Sequence, residues 1–160
     1  MKDRSVVNQL PQKDNWETPN SLFDKLKKEF NLNWDLACST DNIKCERGCL
    51  FNRGNNGLNF DSMGYTPLSI WCNPPYSRTL KELFIRKCYE LSKKPNVNVV
   101  VMLLPVSTST KIFHEVIYPN AEIRFLKGRV KFKGLNTKGE LVENKCGMHD
   151  SMLVVFKWNT

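Results

Sequence analysis

The tetrapeptide Asn73-Pro74-Pro75-Tyr76 has residue types and a spacing that could do chemistry on an exocyclic amino group of a nucleobase. Such a nitrogen attacks a methyl sulfonium poorly, because its lone pair is delocalised into the ring. Two acceptors aimed at its N–H bonds, the side-chain oxygen of Asn73 and the carbonyl of Pro74, would localise that lone pair by positioning and electrostatic preorganisation. The two prolines fix φ at about −65° and remove two N–H donors, so we expect a rigid loop.

Tyr76 adds an aromatic face to this loop. A base must leave the duplex stack before an enzyme can reach it, and an aromatic side chain can hold it with about 1 to 3 kcal/mol per stacked base. The alternative is an ordinary rigid turn, since Pro and Asn are common turn residues. A position at the end of a strand favours the catalytic interpretation, because ligands of open α/β sheets bind at the carboxyl ends of the strands.

The elements around the tetrapeptide predict a βαβ unit. Ser69 to Cys72 is typical of a strand and leads directly into Asn73, and apolar residues then recur at helical spacing from Leu80 to Lys94. The valine-rich run from Val97 to Leu104 suits a parallel strand that is covered on both faces. This order of elements places the tetrapeptide at the carboxyl end of a sheet strand.

The rest of the chain predicts further helices and strands. Thr18 as N-cap and Pro19 as the first helical residue open a helix, and the stretch from Ser39 to Phe60 is an irregular loop that could wall a ligand or substrate. The other expected elements are a strand over 33–38, a helix over 108–118, and strands over 122–126, 129–133 and 151–158, with antiparallel pairing at the far edge of the sheet. The predicted fold class is therefore α/β, with a mostly parallel sheet and an antiparallel edge.

Arg129, Lys131 and Lys133 alternate with Val130 and Phe132, which places three cations on one face of a strand. They could form a phosphate-binding stripe or simply a solvated edge strand. The formal net charge of +8, from 24 Lys+Arg and 16 Asp+Glu, favours a polyanionic partner such as DNA, although charge alone does not identify one.

Length and composition bound the remaining possibilities. With 160 residues, of which 41% are hydrophobic, we expect a loose arm over 1–15 and a single domain over 16–160. The absence of a long apolar run predicts a cytoplasmic protein without a membrane span. The six cysteines include Cys38, Cys45 and Cys49, but there is no CxxC pair and the histidines are distant, so we expect reduced thiols and no metal site.

The motif Asn73-Pro74-Pro75-Tyr76-Ser77 resembles the catalytic motif of amino methyltransferases, and the chain around it is similar to the phage-type (Dam-like) DNA N6-adenine methyltransferase family. Collinear segments from Trp16 to Phe156 carry the resemblance. These segments are Trp16-Glu17-Thr18-Pro19, Asp35-Leu36-Ala37-Cys38-Ser39, Gly57-Leu58, Met102-Leu103-Leu104-Pro105, Gly128-Arg129-Val130-Lys131-Phe132 and Ser151-Met152-Leu153-Val154-Val155-Phe156.

The resemblance implies a three-layer, Rossmann-like methyltransferase domain that transfers a methyl group from S-adenosyl-L-methionine (SAM) to N6 of a flipped-out adenine, in a bacterial or phage-infected host cell. Asp35, at the end of a strand, would bind the SAM ammonium group, although a capping or turn aspartate is the alternative, and Ala37-Cys38-Ser39 stands where many SAM enzymes have a glycine turn. The residues assigned to SAM are Trp16, Thr18, Pro19, Asp35, Ala37, Ser39 and Asn73. Those assigned to DNA are Ser77, Arg78, Arg129, Lys131 and Lys133.

Other functions remain open at the level of sequence. The same tetrapeptide type serves enzymes that methylate cytosine N4 or a protein glutamine amide, and the positive charge disfavours the protein substrate. A catalytically inert nucleic-acid-binding module on the same fold is a further alternative. The chain shows no obvious target-recognition domain, so we expect selectivity that is loose, borrowed from a second protomer in a homodimer, or read by the Ser39 to Phe60 loop of a monomer.

Overall fold

The computed structural model describes residues 16–38, 43–50, 57–135, 138, 140–147 and 149–158. The expected arm over 1–15 and the expected SAM residue Ser39 therefore lie outside the described residues. The helices and strands, in chain order, are α1 (Asn20–Phe30), β1 (Trp34–Cys38), β2 (Arg47–Leu50), β3 (Leu68–Cys72), α2 (Arg78–Ser92), β4 (Val97–Pro105), α3 (Tyr118–Asn120), β5 (Glu122–Phe125), β6 (Lys131–Leu135), β7 (Leu141–Cys146) and β8 (Ser151–Lys157).

A six-stranded sheet, in the order β2-β1-β3-β4-β8-β5, organises the molecule. Its strands run parallel except for β8, which pairs antiparallel with both β4 and β5. This confirms the α/β class, the mostly parallel sheet and the antiparallel edge. The chain leaves β1 for β2 on one side and reaches β3 on the other, so the carboxyl ends of β1 and β3 form a switch point where ligands bind in open sheets.

Helices cover both faces of this sheet. On one face α1 contributes Phe23, Leu26 and Phe30, and the Phe23 ring meets Trp71 of β3 edge-on, with 5.3 Å between ring centroids. On the other face α2 packs Phe84, Ile85, Cys88 and Leu91 against the sheet. Six successive residues of β4, from 99 to 104, are buried, which confirms that this strand is covered on both faces.

The start of α1 differs from the sequence prediction. The helix begins at Asn20, with Pro19 as the N-cap residue in extended conformation and no side-chain capping bond. Thr18 therefore does not cap the helix. Its hydroxyl is buried and makes no hydrogen bond to any residue that the structure describes. A polar group of this kind favours a position beside a ligand, because burial without a partner is costly.

Two strands lie outside the predicted ones. Part of the expected 39–60 loop is β2, which pairs in parallel with β1, and a short 3₁₀ turn follows at Gly57–Asn59. The polar stretch after β6 contains β7, which pairs with β6 in a separate two-stranded hairpin. The expectation that residues 129–133 join the main sheet's edge was therefore wrong. Neither strand shows a strict alternation of apolar and polar residues, so the period-2 pattern does not reveal them.

The helix expected over 108–118 is only partly regular. Phe113–Ile117 forms a π-helix that continues into α3. Its inward-facing residues Ile112, Phe113, Val116 and Ile117 are buried, as the apolar spacing predicts. Pro119 lies in the first turn of α3 and has no N–H for the regular helical ladder, and the widened turn precedes it directly.

Candidate active site

β1 and the carboxyl end of β3 bring the predicted residues together. Asp35 is the second residue of β1, so the expectation that it stands at the end of the strand was wrong, but it is the last β1 residue that pairs with β3. Asp35 of β1 is in register with Trp71 of β3, and Asn73 follows β3 two residues later. A small cavity opens here, and its lining residues are Trp16, Thr18, Asp35, Ala37, Lys44, Trp71 and Asn73. Five of the residues assigned to SAM thus share one cavity. Pro19 does not line it.

A single hydrogen bond sets the orientation of the Asn73 side chain. Its Nδ2 donates to the carbonyl oxygen of Trp16 at 2.7 Å. Since that carbonyl can only accept, the amide nitrogen must point toward it and Oδ1 must point away. Oδ1 is buried and has no hydrogen-bond partner among the described residues. The site therefore presents an oriented acceptor whose lone pairs are unused.

The rest of the tetrapeptide is packed rather than extended into solvent. Pro74 and Pro75 are buried, and Tyr76 is half-buried with its ring edge-on to Phe132 of β6, the two centroids 6.0 Å apart. The Tyr76 hydroxyl has no hydrogen-bond partner among the described residues. Burial, with a smaller contribution from Cys72, raises the pKa of that hydroxyl above its ordinary range, so it stays neutral. The sequence did not indicate that Phe132 would support Tyr76.

Asp35 is the buried charge of the cavity. It accepts the backbone N–H of Ala37 at 3.2 Å and that of Lys44 at 3.0 Å. Burial raises the pKa of this carboxyl from 3.8 to about 6, against the opposing effects of the two backbone donors and the Lys44 charge. The alternative role as a turn aspartate is therefore part of the structure, since the carboxylate holds both the residues after β1 and the segment at Lys44.

Lys44 links two sides of the cavity. Its ammonium donates to Glu17 Oε1 at 2.9 Å and to Asn20 Oδ1 at 2.7 Å. Its side chain is only 8% exposed, so this ion pair is partly shielded from water. Sequence reasoning missed Lys44 and Trp71, because no pattern separates them from the other lysines and core aromatics.

The β6–β7 hairpin lies against the segment that carries Trp16. Glu17 and Lys133 exchange backbone hydrogen bonds, with N–O distances of 2.7 and 3.2 Å. Val130 and Phe132 are buried while Arg129, Lys131 and Lys133 are exposed, which confirms the predicted alternation. The hairpin thus reaches the site through two contacts, Phe132 on Tyr76 and Lys133 on Glu17.

The cationic residues assigned to DNA lie on two elements. On the hairpin side, Arg129 pairs with Asp150 at 3.8 Å and Lys133 with Glu143 at 3.8 Å. At the start of α2, Arg78 is exposed and pairs with Glu82 at 3.6 Å. These exposed pairs are weak, so the cations can exchange their acidic partners for phosphate. Ser77 is half-buried, and its carbonyl accepts the Lys81 N–H in the first turn of α2.

The described part of the chain contains no group of three or more His, Cys, Asp or Glu side chains that could hold a metal ion. Cys38, Cys45, Cys49, Cys72 and Cys88 are buried free thiols. Within the same residues, no helix has the length and apolar character needed to cross a bilayer.

Comparison with known proteins gives two matches. The model of the DNA N-6-adenine-methyltransferase (Dam) family matches residues 6–160. A protein of Haemophilus phage HP1 (strain HP1c1), named DNA N-6-adenine-methyltransferase, is 32% identical over 148 residues, which cover 91% of this chain and 79% of the phage protein.

Proposed function

Because this chain belongs to the Dam family and is an adenine-specific DNA methyltransferase, we propose that Asn73-Pro74-Pro75-Tyr76 is its catalytic motif and that the adjoining cavity receives the ammonium end of SAM. The observation that carries this proposal is that Oδ1 of Asn73 is buried without a partner among the described residues, while Asn73 and Asp35 line one cavity.

Asn73 activates the target nitrogen by accepting a hydrogen bond from one of its two N–H groups. The Trp16 carbonyl holds the amide so that Oδ1 faces the incoming base, and no reorganisation is needed when the base arrives. The Pro74 carbonyl is the second acceptor, on a backbone that two prolines make rigid. With both N–H bonds engaged, the nitrogen lone pair points out of the ring plane. No strong base is required, because the proton leaves after the nitrogen has gained positive charge.

Tyr76 holds the extruded adenine by its aromatic face. The hydroxyl is neutral and packed inside, so the ring rather than the O–H is the functional part. Phe132 supports this ring from the side and limits its rotation. Stacking on a fixed ring orders the base before methyl transfer.

The family implies SAM, which supplies a methyl group on a sulfonium when bound. Three features of the cavity fit its ammonium end: the Asp35 carboxylate, the orphaned Thr18 hydroxyl and the aromatic walls Trp16 and Trp71. The ammonium would favour the ionised form of Asp35, and the Thr18 hydroxyl oxygen would accept a hydrogen bond from one of its N–H groups. The cavity is small, so the rest of the cofactor would lie outside it. The α/β sheet with helices on both faces supports a three-layer methyltransferase fold.

DNA would lie across the carboxyl edge of the sheet. The exposed face of the hairpin, with Arg129, Lys131 and Lys133, is the part of this surface nearest to Tyr76 through Phe132. Among the described residues Lys131 forms no ion pair, so its charge is available to a phosphate. Ser77 and Arg78 extend the surface to the start of α2.

The test is transfer of labelled methyl from SAM to unmethylated DNA, followed by nucleoside analysis. We expect N6-methyladenine from the unmodified protein and a loss of about 10²- to 10³-fold in kcat for Asn73→Ala, the usual cost of removing one preorganised partner. Binding of SAM should survive the substitution. N4-methylcytosine as product would contradict the adenine assignment, and an active Asn73→Ala variant would contradict the motif.

The matched control is Asn33→Ala. Like Asn73, Asn33 donates from Nδ2 to a backbone carbonyl, that of Pro67, but its Oδ1 accepts the Ser69 N–H, and it lies at the amino ends of β1 and β3. We expect it to lower the melting temperature while leaving kcat near that of the unmodified protein. Equal losses of kcat in both variants would indicate a structural role for Asn73 instead.

A further inference from the structure

A second concave site lies beside the tetrapeptide, between the start of α2 and residues 107–111, which follow β4. This cleft has a volume of about 420 Å³. Apolar side chains of the core, among them Ile85 and Met152, form its floor. Three cations and two serine hydroxyls line its rim: Arg78, Lys81, Lys111, Ser107 and Ser109.

The charges of this cleft are unbalanced. Arg78 and Lys111 each have an acidic partner four residues along the chain, at 3.6 Å in both cases. Lys81 is half-buried and makes no ion pair with any residue the structure describes. Exposed pairs one helical turn apart contribute little, so a phosphate can displace the carboxylates at small cost. Glu82 is the acidic residue of the lining, and the balance is positive.

The sheet fixes where this cleft stands relative to the target nitrogen. Cys72 of β3 is in register with Met102 of β4, and β4 ends at Pro105, which lines the cleft. Asp35, on β1, lies on the other side of β3. Asn73 is therefore flanked along the sheet edge by the cofactor cavity on one side and the cationic cleft on the other.

We propose that this cleft binds a backbone phosphate of the DNA strand that carries the target adenine. Lys81 is the principal cation, and the Ser107 and Ser109 hydroxyls donate to the phosphate oxygens. An extruded nucleotide rotates about its own backbone, and a fixed grip on a neighbouring phosphate keeps it in the rotated position. The inference rests on the proposed role of Asn73 and Tyr76 as the site of the target base.

The first test compares Lys81→Ala and Lys81→Gln with Lys94→Ala, an exposed lysine beyond the other end of α2. Binding of a labelled duplex is measured by fluorescence anisotropy over a range of salt, without SAM, so that no turnover occurs. Both Lys81 variants should bind every sequence more weakly, and the slope of log affinity against log salt should fall by about 0.9 in magnitude. Lys94→Ala should match the unmodified protein. Equal behaviour of Lys81 and Lys94 variants would overturn the proposal.

The second test locates the phosphate. Single phosphates on either side of the methylated adenine are replaced by neutral methylphosphonates. At the contacted position, the neutral linkage should weaken binding by the unmodified protein but should not further weaken binding by Lys81→Ala. At every other position, the neutral linkage should weaken binding by both proteins to the same extent. Additive losses at every position would refute a direct contact. If the catalytic proposal failed instead, the methyl-transfer assay would show it and these binding results would stand.

Discussion

At the scale of single residues, the orientation of the Asn73 side chain depends on its hydrogen bond to the carbonyl oxygen of Trp16. The bond reaches 57 positions back along the chain, and its acceptor is a backbone atom. Replacing the Trp16 side chain therefore leaves the acceptor in place. What matters for the orientation of Asn73 is the path of the backbone over 16–19.

Tyr76 separates the contributions of a ring and a hydroxyl. We expect Tyr76→Phe to keep activity and to be as stable as the unmodified protein or more so, because the hydroxyl it removes is buried without a described partner. Tyr76→Ala should lower kcat/KM for DNA by about 5- to 150-fold, equivalent to about 1 to 3 kcal/mol of lost stacking. Steady-state methylation and thermal unfolding provide the measurements.

Tyr118→Ala is the control for this pair. Tyr118 is 69% exposed on α3 and contacts no residue of the site. Its replacement should leave kcat/KM unchanged. A Tyr76→Phe variant as inactive as Tyr76→Ala would show that the hydroxyl takes part in the reaction.

Asp35 predicts a pH dependence of cofactor binding. The ammonium of SAM needs the ionised carboxylate, so affinity should rise with pH through a midpoint near 6. Asp35→Asn should bind about 10- to 100-fold more weakly above that midpoint and lose the dependence. Calorimetric titration with SAM at several pH values tests this. Affinity that stays constant across the window in the unmodified protein would contradict it.

The contribution of Asp35 to the stability of the fold should decrease as the pH rises, in the opposite direction to the SAM affinity. The pKa of Asp35 is about 6 in the fold and near 3.8 in the unfolded chain, so the fold favours the protonated form. Its stabilising contribution is complete below about pH 4 and disappears as the pH rises through 6. Thermal unfolding of Asp35→Asn should lack this dependence, which separates the folding effect from the binding effect.

Sequence patterns could identify the principal residues of the site but not their partners. Asn73 follows β3 directly, and that position follows from local patterns. Lys44, Trp71 and Phe132 reach the site only through tertiary packing, which no local spacing encodes. The resemblance assigned Thr18 to the SAM pocket, but the predicted capping role of its hydroxyl was wrong, because the helix begins two residues later.

At the scale of elements, the β6–β7 hairpin contacts the site through two of its residues. Phe132 packs on Tyr76, and Lys133 pairs with Glu17, next to the carbonyl that orients Asn73. The hairpin is not part of the main sheet. Its position therefore depends on the packing of Phe132 in the core and on the backbone pairing of Lys133 with Glu17, not on the ladder of the main sheet.

Phe132→Ala tests whether these two contacts of the hairpin depend on each other. Phe132 is 4% exposed, and loss of a buried phenylalanine costs about 3 to 5 kcal/mol in a packed core. We expect faster hydrogen exchange at the amides of Glu17 and Lys133 together, with the amides of β4 unchanged. Leu141→Ala, at a 62% exposed residue of β7, should change neither. Exchange that accelerates at Lys133 alone would show that the hairpin and the Trp16 segment move independently.

The elements that bury a regular apolar set were the ones that the sequence predicted well. β3, α2, β4 and β8 were predicted within about two residues, because each buries a periodic or continuous apolar set. β2 and β7 were not, since neither carries a strict apolar alternation in its sequence. The separation of the hairpin from the main sheet is a matter of long-range pairing, which alternation within a strand does not reveal.

At the scale of the whole molecule, two clusters of cationic side chains in the described residues lie near the carboxyl edge of the sheet. One is the exposed face of the hairpin and the other is the cleft at the start of α2. Contacts to phosphate position DNA without reading its sequence. We therefore expect short or degenerate selectivity.

Methylation mapped by sequencing on random DNA tests this selectivity. The preferred site should be short, and Lys131→Ala should lower methylation at all sites by a similar factor, because a phosphate contact carries no sequence information. A single long, strict recognition site would contradict the prediction. A change in preference with Lys131→Ala would mean that this side chain reads a base.

The position of β8 has a consequence for how the enzyme comes into being. Its seven residues follow the other described strands in the chain, yet they lie between β4 and β5 in the sheet. Until they leave the ribosome, the apolar edge of β4 has no neighbour on that side and β5 lacks the strand with which it pairs. The tetrapeptide is translated before this point, but the sheet that aligns it is still incomplete. The nascent chain is thus expected to stay silent toward DNA until β8 has emerged and joined the sheet.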